Sequence, residues 1–317
     1  MKLRLAVILG IILFLLVGFF GFQNSILPKS KNQEFKTFVI TPGESLEKIS
    51  KRLQEEGMIK NSLTFRILAA FRGFSKKIQA GSFRLSPTES ATQILGDLTR
   101  GTFDVWVTIP EGFRLEEIAD LMNAKLGIDK EEFMKVAREG LMFPDTYLIP
   151  AKASALELSK IMMDNFDKRI NENLANEIKK SGLTLDQVII LASIVEREVK
   201  FEKDRPIVAG ILIKRWRKGL SLGADATVQY TQGFQPAEKS WWKKTITTED
   251  LAINSPYNTR KFTGLPPGPI CNPGLSSIEA VADPAKTDFY YYVSDKQGNM
   301  HYAQSLDEHI ENIKNHL

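Results

Sequence analysis

Eighteen consecutive residues, Leu5 to Phe22, carry no charge, and glycine is their only member that is not hydrophobic. As a helix rising 1.5 Å per residue the run spans about 27 Å, near the hydrocarbon thickness of a thin bilayer. Lys2 and Arg4 precede it, and no Ala-x-Ala pattern follows Phe22. The apolar core of a cleaved signal peptide is shorter, about 7–15 residues, and ends in small residues. The run therefore reads as an uncleaved, single-pass transmembrane helix at 5–22, with a cytoplasmic tail at 1–4 and a polar linker at 23–36. Everything beyond is expected on the extracytoplasmic (periplasmic) side of the cell's inner membrane.

After the linker, Phe38 to Ile49 reads as a strand, a Gly turn and an amphipathic helix, with Ser45 as its N-cap. The pattern returns 69 residues later in Val105 to Ile118: Ile40 matches Ile109, Gly43 matches Gly112, Leu46 matches Leu115 and Ile49 matches Ile118. Shared positions at one offset suggest an internal β-turn-α repeat. Both copies resemble LysM modules, small βααβ domains that bind N-acetylglucosamine polymers. The expected organisation is an N-terminal LysM-like, membrane-proximal subdomain at 37–104 and a catalytic region at 105–317. That region opens with a second LysM-like unit at 105–140, and its core begins near 141.

From Thr184 the chain changes character. Leu185 to Val195 is apolar except at Asp186, Gln187 and Ser193, so it reads as a buried helix capped by Thr184 with Gln187 three residues on. A second helix is expected over Arg205 to Lys218, stopped by Gly219. Asp288 to Ser294 and His301 to Gln304 read as two strands joined at Gln297-Gly298-Asn299. The fold class is α+β.

Bulk composition excludes several functions. Forty-two Lys and Arg against 38 Asp and Glu leave a net charge of +4, too mild for nucleic acid. The single cysteine, Cys271, forbids an internal disulfide, and the three histidines all fall in the last 17 residues. No HExxH, Ser-x-x-Lys, Gly-x-Ser-x-Gly or phosphate-binding Gly-rich pattern occurs, so neither a metal nor a cofactor is expected. Carboxylates remain as the chemistry-bearing groups. Glu196 follows the apolar helix, where it is placed either at a cleft wall as an acid/base held against apolar surface, or in a solvated charged turn with Arg197 and Glu198. Spacing leaves both readings open.

Five segments then occur in order: FPDTY at 143–147, LASIVEREV at 191–199, LGADATVQY at 222–230, SPYNTR at 255–260 and GLPPGPICNPG at 264–274. Together they resemble the endolytic murein transglycosylase (MltG or YceG-like) family, whose catalytic glutamate falls on Glu196. The resemblance implies a lytic transglycosylase: the bond between N-acetylmuramic acid and N-acetylglucosamine is cut without water, and the muramic C6 hydroxyl attacks C1 to leave a 1,6-anhydro end. One glutamate serves as acid and then base, so a second close carboxylate is unnecessary, unlike the pair of ordinary glycosidases.

The resemblance also implies peptidoglycan strands as substrate and peptidoglycan synthases as partners. It offers Asp145, Tyr147, Asp225, Gln229, Tyr257 and Asn258 as sugar contacts, with Tyr230 beside them. The proline-glycine pairs near 268 and 274 are expected to shape loops, Gly allowing positive φ. The sequence departs from the family pattern at Leu141-Met142, where an aromatic is usual, at Gly223 and Ala226, and at Arg260, where tyrosine is usual. Two other functions remain: a hydrolase on the same glycan, in which water replaces the C6 hydroxyl, and a non-catalytic membrane-tethered glycan-binding scaffold.

Overall fold

The computed structural model describes residues 10, 16–30, 35–100, 104–150 and 153–317. The expected cytoplasmic tail and most of the expected span at 5–22 lie outside them. Residues 16–26 are helical, and among the described residues no helix is long and apolar enough to cross a membrane. The chain divides into two compact units, Met1–Val107 with Tyr147–Lys152 and Thr108–Thr146 with Ala153–Leu317. The second β-turn-α copy thus lends most of its strand to one unit and its helix to the other.

The first unit runs β1 (Lys36–Ile40), α1 (Leu46–Glu55), α2 (Ser62–Phe71), β2 (Gly81–Leu85), α3 (Ala91–Arg100), β3 (Asp104–Thr108) and later β4 (Thr146–Pro150). The strands form one sheet in the order β1-β2-β3-β4. β1 and β2 are antiparallel, with Lys36 opposite Leu85 and Ile40 opposite Gly81. Ser45 caps α1 by accepting from the Lys48 N–H at 3.3 Å. Ile49 and Leu53 on α1 then meet Phe38, Phe65, Phe83 and Leu95 in an apolar core, as their helical spacing demands.

The second unit is built around one helix. Its elements are α4 (Leu115–Leu126), α5 (Lys130–Val136), α6 (Ala155–Arg169), α7 (Glu172–Ser181), α8 (Leu185–Glu198), α9 (Arg205–Arg217), α10 (Asp225–Gln232), α11 (Thr248–Leu251), α12 (Leu275–Ala282), the hairpin β5 (Tyr291–Ser294) and β6 (Met300–Ala303), and α13 (Leu306–His316). Thr184 and Gln187 cap α8 reciprocally: Thr184 N–H donates to the Gln187 side chain at 2.9 Å and Gln187 N–H to Thr184 Oγ1 at 3.3 Å. Val188, Leu191, Ala192, Ile194 and Val195 are fully buried, because α8 packs against α9, α10 and α12. The helix runs to Glu198 and stops where Val199 turns extended, three residues beyond the expected apolar end, so Glu196 lies inside its last turn.

α9 ends as its sequence requires, with Gly219 at φ +71°. The first hairpin strand starts at Tyr291 rather than Asp288. Side chains of α9 hold the preceding carbonyls instead: Lys214 Nζ donates to Thr287 O at 3.1 Å and Arg215 Nη1 to Tyr290 O at 2.9 Å. Truncation inside α8 tests this architecture. Ile194→Ala is expected to lower unfolding free energy by about 2–5 kcal/mol, read from urea denaturation; a loss under about 1 kcal/mol would contradict such packing.

Candidate active site

Glu196 is held by two donors. Arg205 Nη2, at the start of α9, lies 3.0 Å from Glu196 Oε1, and the Gly274 N–H donates to Oε2 at 3.0 Å. Gly274 is the N-cap of α12, so the carboxylate also meets the positive end of that helix. The sequence places this carboxyl either against apolar surface or in a solvated turn. The structure does not leave it in a solvated turn: the side chain is 6% exposed, and its oxygens face a guanidinium and an amide.

The loop that supplies Gly274 is tied down by residues of the apolar helix and of the repeat. Ser193 Oγ accepts from the Ile270 N–H at 3.0 Å, and Ser193 O accepts from Cys271 Sγ. Asn272, fully buried, joins the Gly112 turn through two backbone bonds, Gly112 N–H to Asn272 O at 3.0 Å and Asn272 N–H to Phe113 O at 2.8 Å. Its side chain donates to Phe113 O and to Glu139 Oε1, both at 2.9 Å, and accepts from the Met142 N–H. Positive φ is not what Gly268 and Gly274 contribute, for neither adopts it. Gly274, at φ −74°, is needed for closeness. A Cβ there would come within 2.0 Å of Glu111 Oε1.

Glu111 is the residue that sequence reasoning missed. It sits in the turn of the second β-turn-α copy, before Gly112 at φ +77°, and its Oε2 is 3.9 Å from the same Arg205 Nη2. Loss of water around it, then the charge of Glu196, push its carboxyl above the usual range despite Arg205. The repeat held a signal: the aligned position in the first copy is Pro42, so the turn itself does not ask for a glutamate. Arg114 differs likewise from its counterpart Ser45. It is buried and lies 4.1 Å from the Tyr230 ring centroid and 5.1 Å from that of Trp241. It also donates to the Tyr230 carbonyl at 3.1 Å. Arg197 stacks 3.9 Å over Trp242, continuing this cation-aromatic wall from α8.

The residues expected to contact sugar are dispersed. Asp145 is clasped by Asn165 Nδ2 at 3.0 Å, the Thr146 N–H at 2.8 Å and Arg169 Nη2 at 2.6 Å. Partial burial pushes its carboxyl up, but those donors outweigh it and hold it below the ordinary range. Tyr147 is buried in β4, in the first unit. Asn258 is spent on loop structure, donating to Leu251 O and Ile253 O and accepting from the Arg260 and Lys261 N–H groups. Gln229 donates to Lys243 O at 2.8 Å. Tyr257 lies with its ring 4.8 Å from Tyr230, beside the Arg114 cluster. Asp225 pairs with Arg260 at 2.6 Å, so the arginine that departs from the family pattern has a defined partner.

Asp225 and Arg260 belong to the other side of α8. With Glu198, Arg215, Tyr292 and His309 they line a cavity of about 690 Å³. Residues two apart on a helix point to different faces, so Glu196 and Glu198 serve separate environments. Burial raises the Glu198 carboxyl, although the Ala226 N–H donates to it at 3.0 Å.

The model of the YceG-like family matches residues 38–315, and the chain belongs to that family. It is 28% identical, over 95% of its length, to a protein named endolytic murein transglycosylase in each of two Streptococcus pneumoniae strains, D39 and R6. It spans 62% of the length of those relatives. A Bacillus subtilis protein of the same name is 30% identical, over 92% of this chain and 88% of its own. The crystal structure of a YceG-like protein from Listeria monocytogenes matches with a TM-score of 0.59 at 28% identity, covering 88% of this chain and 99% of that one.

Glu139 makes the electrostatics of the site measurable. Burial pushes its carboxyl up to about 8, with Leu115 N–H opposing and Glu116 adding to the shift. The folded form therefore keeps a proton that the unfolded chain loses near 4.5. The stabilisation is complete below that value and is lost as pH rises through about 8. Glu139→Gln is expected to flatten the fall in Tm over that window; parallel Tm curves for the two proteins would contradict the assignment.

Proposed function

We propose that the chain is an endolytic peptidoglycan lytic transglycosylase in which Glu196 is the general acid and then the general base. The observation that carries this reading is the centre around Glu196: one carboxyl at the end of a rigid buried helix, oriented by a guanidinium and a helix-terminal amide. Relatives named endolytic murein transglycosylase, matched over nearly the whole chain, support the choice of substrate.

In this mechanism protonated Glu196 gives its proton to the glycosidic oxygen as the C1–O bond breaks. Arg205 and the Gly274 N–H then face the carboxylate that forms, and stabilise it there without rearrangement. The muramic C6 oxygen bonds to C1, and its proton returns to Glu196. Atoms balance with no water consumed, and the acid is regenerated. Tyr230, Trp241 and Tyr257, each only partly buried, supply the flat apolar faces on which sugar rings stack.

The apolar run at 5–22 supports a location for this reaction. Residues 5–22 anchor the protein in the cell membrane with its N-terminus in the cytoplasm, so both units act on the wall side. Strands cut there are nascent ones, and the synthases that make them are the expected partners. The β1-α1-α2-β2 order of the first unit supports a LysM-like, glycan-holding role. Its candidate groove, about 200 Å³, is lined by Thr41, Gly43, Glu44 and Lys76 among others.

The full chain in detergent, incubated with polymerised uncrosslinked glycan, is expected to release fragments ending in 1,6-anhydromuramic acid, each lighter than a hydrolysis product by one water. Glu196→Gln is expected to slow this at least about 100-fold. Fragments carrying the added water would identify the hydrolase instead. Unchanged cutting by Glu196→Gln, or no cutting by the wild type, would overturn the reading.

A further inference from the structure

Arg205 is 5% exposed, yet its Nε and Nη1 have no hydrogen-bond partner among the described residues. A buried guanidinium normally spends its donors, since each one left over forfeits the water it gave up. Two donors are therefore left over within the same planar group that holds Glu196, and Glu111 stands on that group too.

The placement of Glu111 is built at several points. The turn before α4 is pinned to the 270–274 loop by the two backbone bonds between Asn272 and residues 112 and 113. The Glu111 carboxyl rests on the Cα of Gly274, where any larger residue would displace it. Gly112 lets Arg197 approach, since a Cβ there would lie 3.2 Å from its Nη1. Glu111 is half-exposed, whereas Glu196 is buried. A sugar entering from solvent thus meets the Glu111 carboxyl first.

We propose that Glu111 is a second substrate-contacting carboxyl of this centre, set against the same Arg205 nitrogen as Glu196, and that it hydrogen-bonds the hydroxyl that attacks C1. This rests on the glycan-cutting reading above and adds a residue to it. Glu111 receives no proton in the reaction: its carbonyl oxygen accepts from the hydroxyl as the sugar seats, and that bond is exchanged for one to Glu196 as the C6 oxygen closes on C1 and gives up its single proton. The carboxyl acts in its protonated form. Desolvation and the nearby charge of Glu196 raise its proton affinity, Arg205 opposes, and Glu202 adds to the rise; Arg197 is the other charged group facing the turn. Ionised, Glu111 would add a second negative charge beside Glu196, which a single guanidinium cannot offset for both.

The test compares Glu111→Gln and Glu111→Ala in the full chain on polymerised glycan across pH, with Tm as a check on folding. The glutamine keeps a neutral acceptor and donor, so it is expected to retain at least about a third of the wild-type kcat, with its alkaline limb displaced to higher pH. The alanine is expected to lose about 30-fold or more in kcat with little change in KM and in Tm. Alanine activity within about twofold of wild type would overturn the proposal. So would a glutamine variant as inactive as the alanine, or one keeping the wild-type alkaline limb. Inactive wild type, or active Glu196→Gln, would instead count against the proposed function. The two failures are thereby distinguished.

Discussion

A guanidinium and a carboxylate, 7% and 6% exposed, meet at 3.0 Å in the second unit. Each gave up much of its hydration to be there, and a buried pair of this kind is weak in net stability. Its removal is another matter. Taking away one partner strands the other charge, at a cost of about 3–5 kcal/mol. The surrounding structure answers to that constraint. α8 is buried on nearly every side and so fixes the Glu196 backbone, α9 begins with Arg205, and α12 points its N-terminus at the carboxylate.

The same constraint explains how the second β-turn-α copy diverges from the first. In the first, the turn serves its own helix: Ser45 caps α1, and Glu44 reaches forward to Arg52 at 2.9 Å. In the second, the cap position is Arg114, whose own N–H donates to Glu117 at 3.0 Å. The Arg114 side chain turns to Tyr230 and Trp241, while Glu111 takes the place of Pro42 beside Arg205. One local fold thus supports two uses, because the backbone needs only the glycine at positive φ and the apolar positions behind it. α8 is used twice in a similar way, with Glu196 on one face and Glu198 facing the cavity on another.

What the sequence disclosed followed from locality. The cap at Thr184, the burial of α8, the stop at Gly219 and the hairpin turned near Gln297 depend on residues within a turn or two of one another. The ordered motifs singled out Glu196 as the candidate acid/base, although spacing left its role open. Long-range partners were not legible. Asp145 and Asn258 were offered as sugar contacts, but the carboxyl is taken up by Asn165 and Arg169 from α6 and the amide by carbonyls five and seven residues back. Gly274 looked like a turn glycine, whereas its hydrogen makes room for a carboxyl from residue 111, far away in the chain. Glu111 itself was hidden inside a repeat whose matching positions were all structural.

The central claim is that Glu196, braced by Arg205 and Gly274, faces the bond that breaks. A crystal structure of the Glu196→Gln protein with a bound, uncut muramic acid–glucosamine oligosaccharide tests it most directly. A glycosidic oxygen is expected within about 3 Å of the side chain at 196, with the muramic C6 hydroxyl on the Glu111 side. An oligosaccharide seated with every glycosidic oxygen beyond reach of that side chain would contradict it.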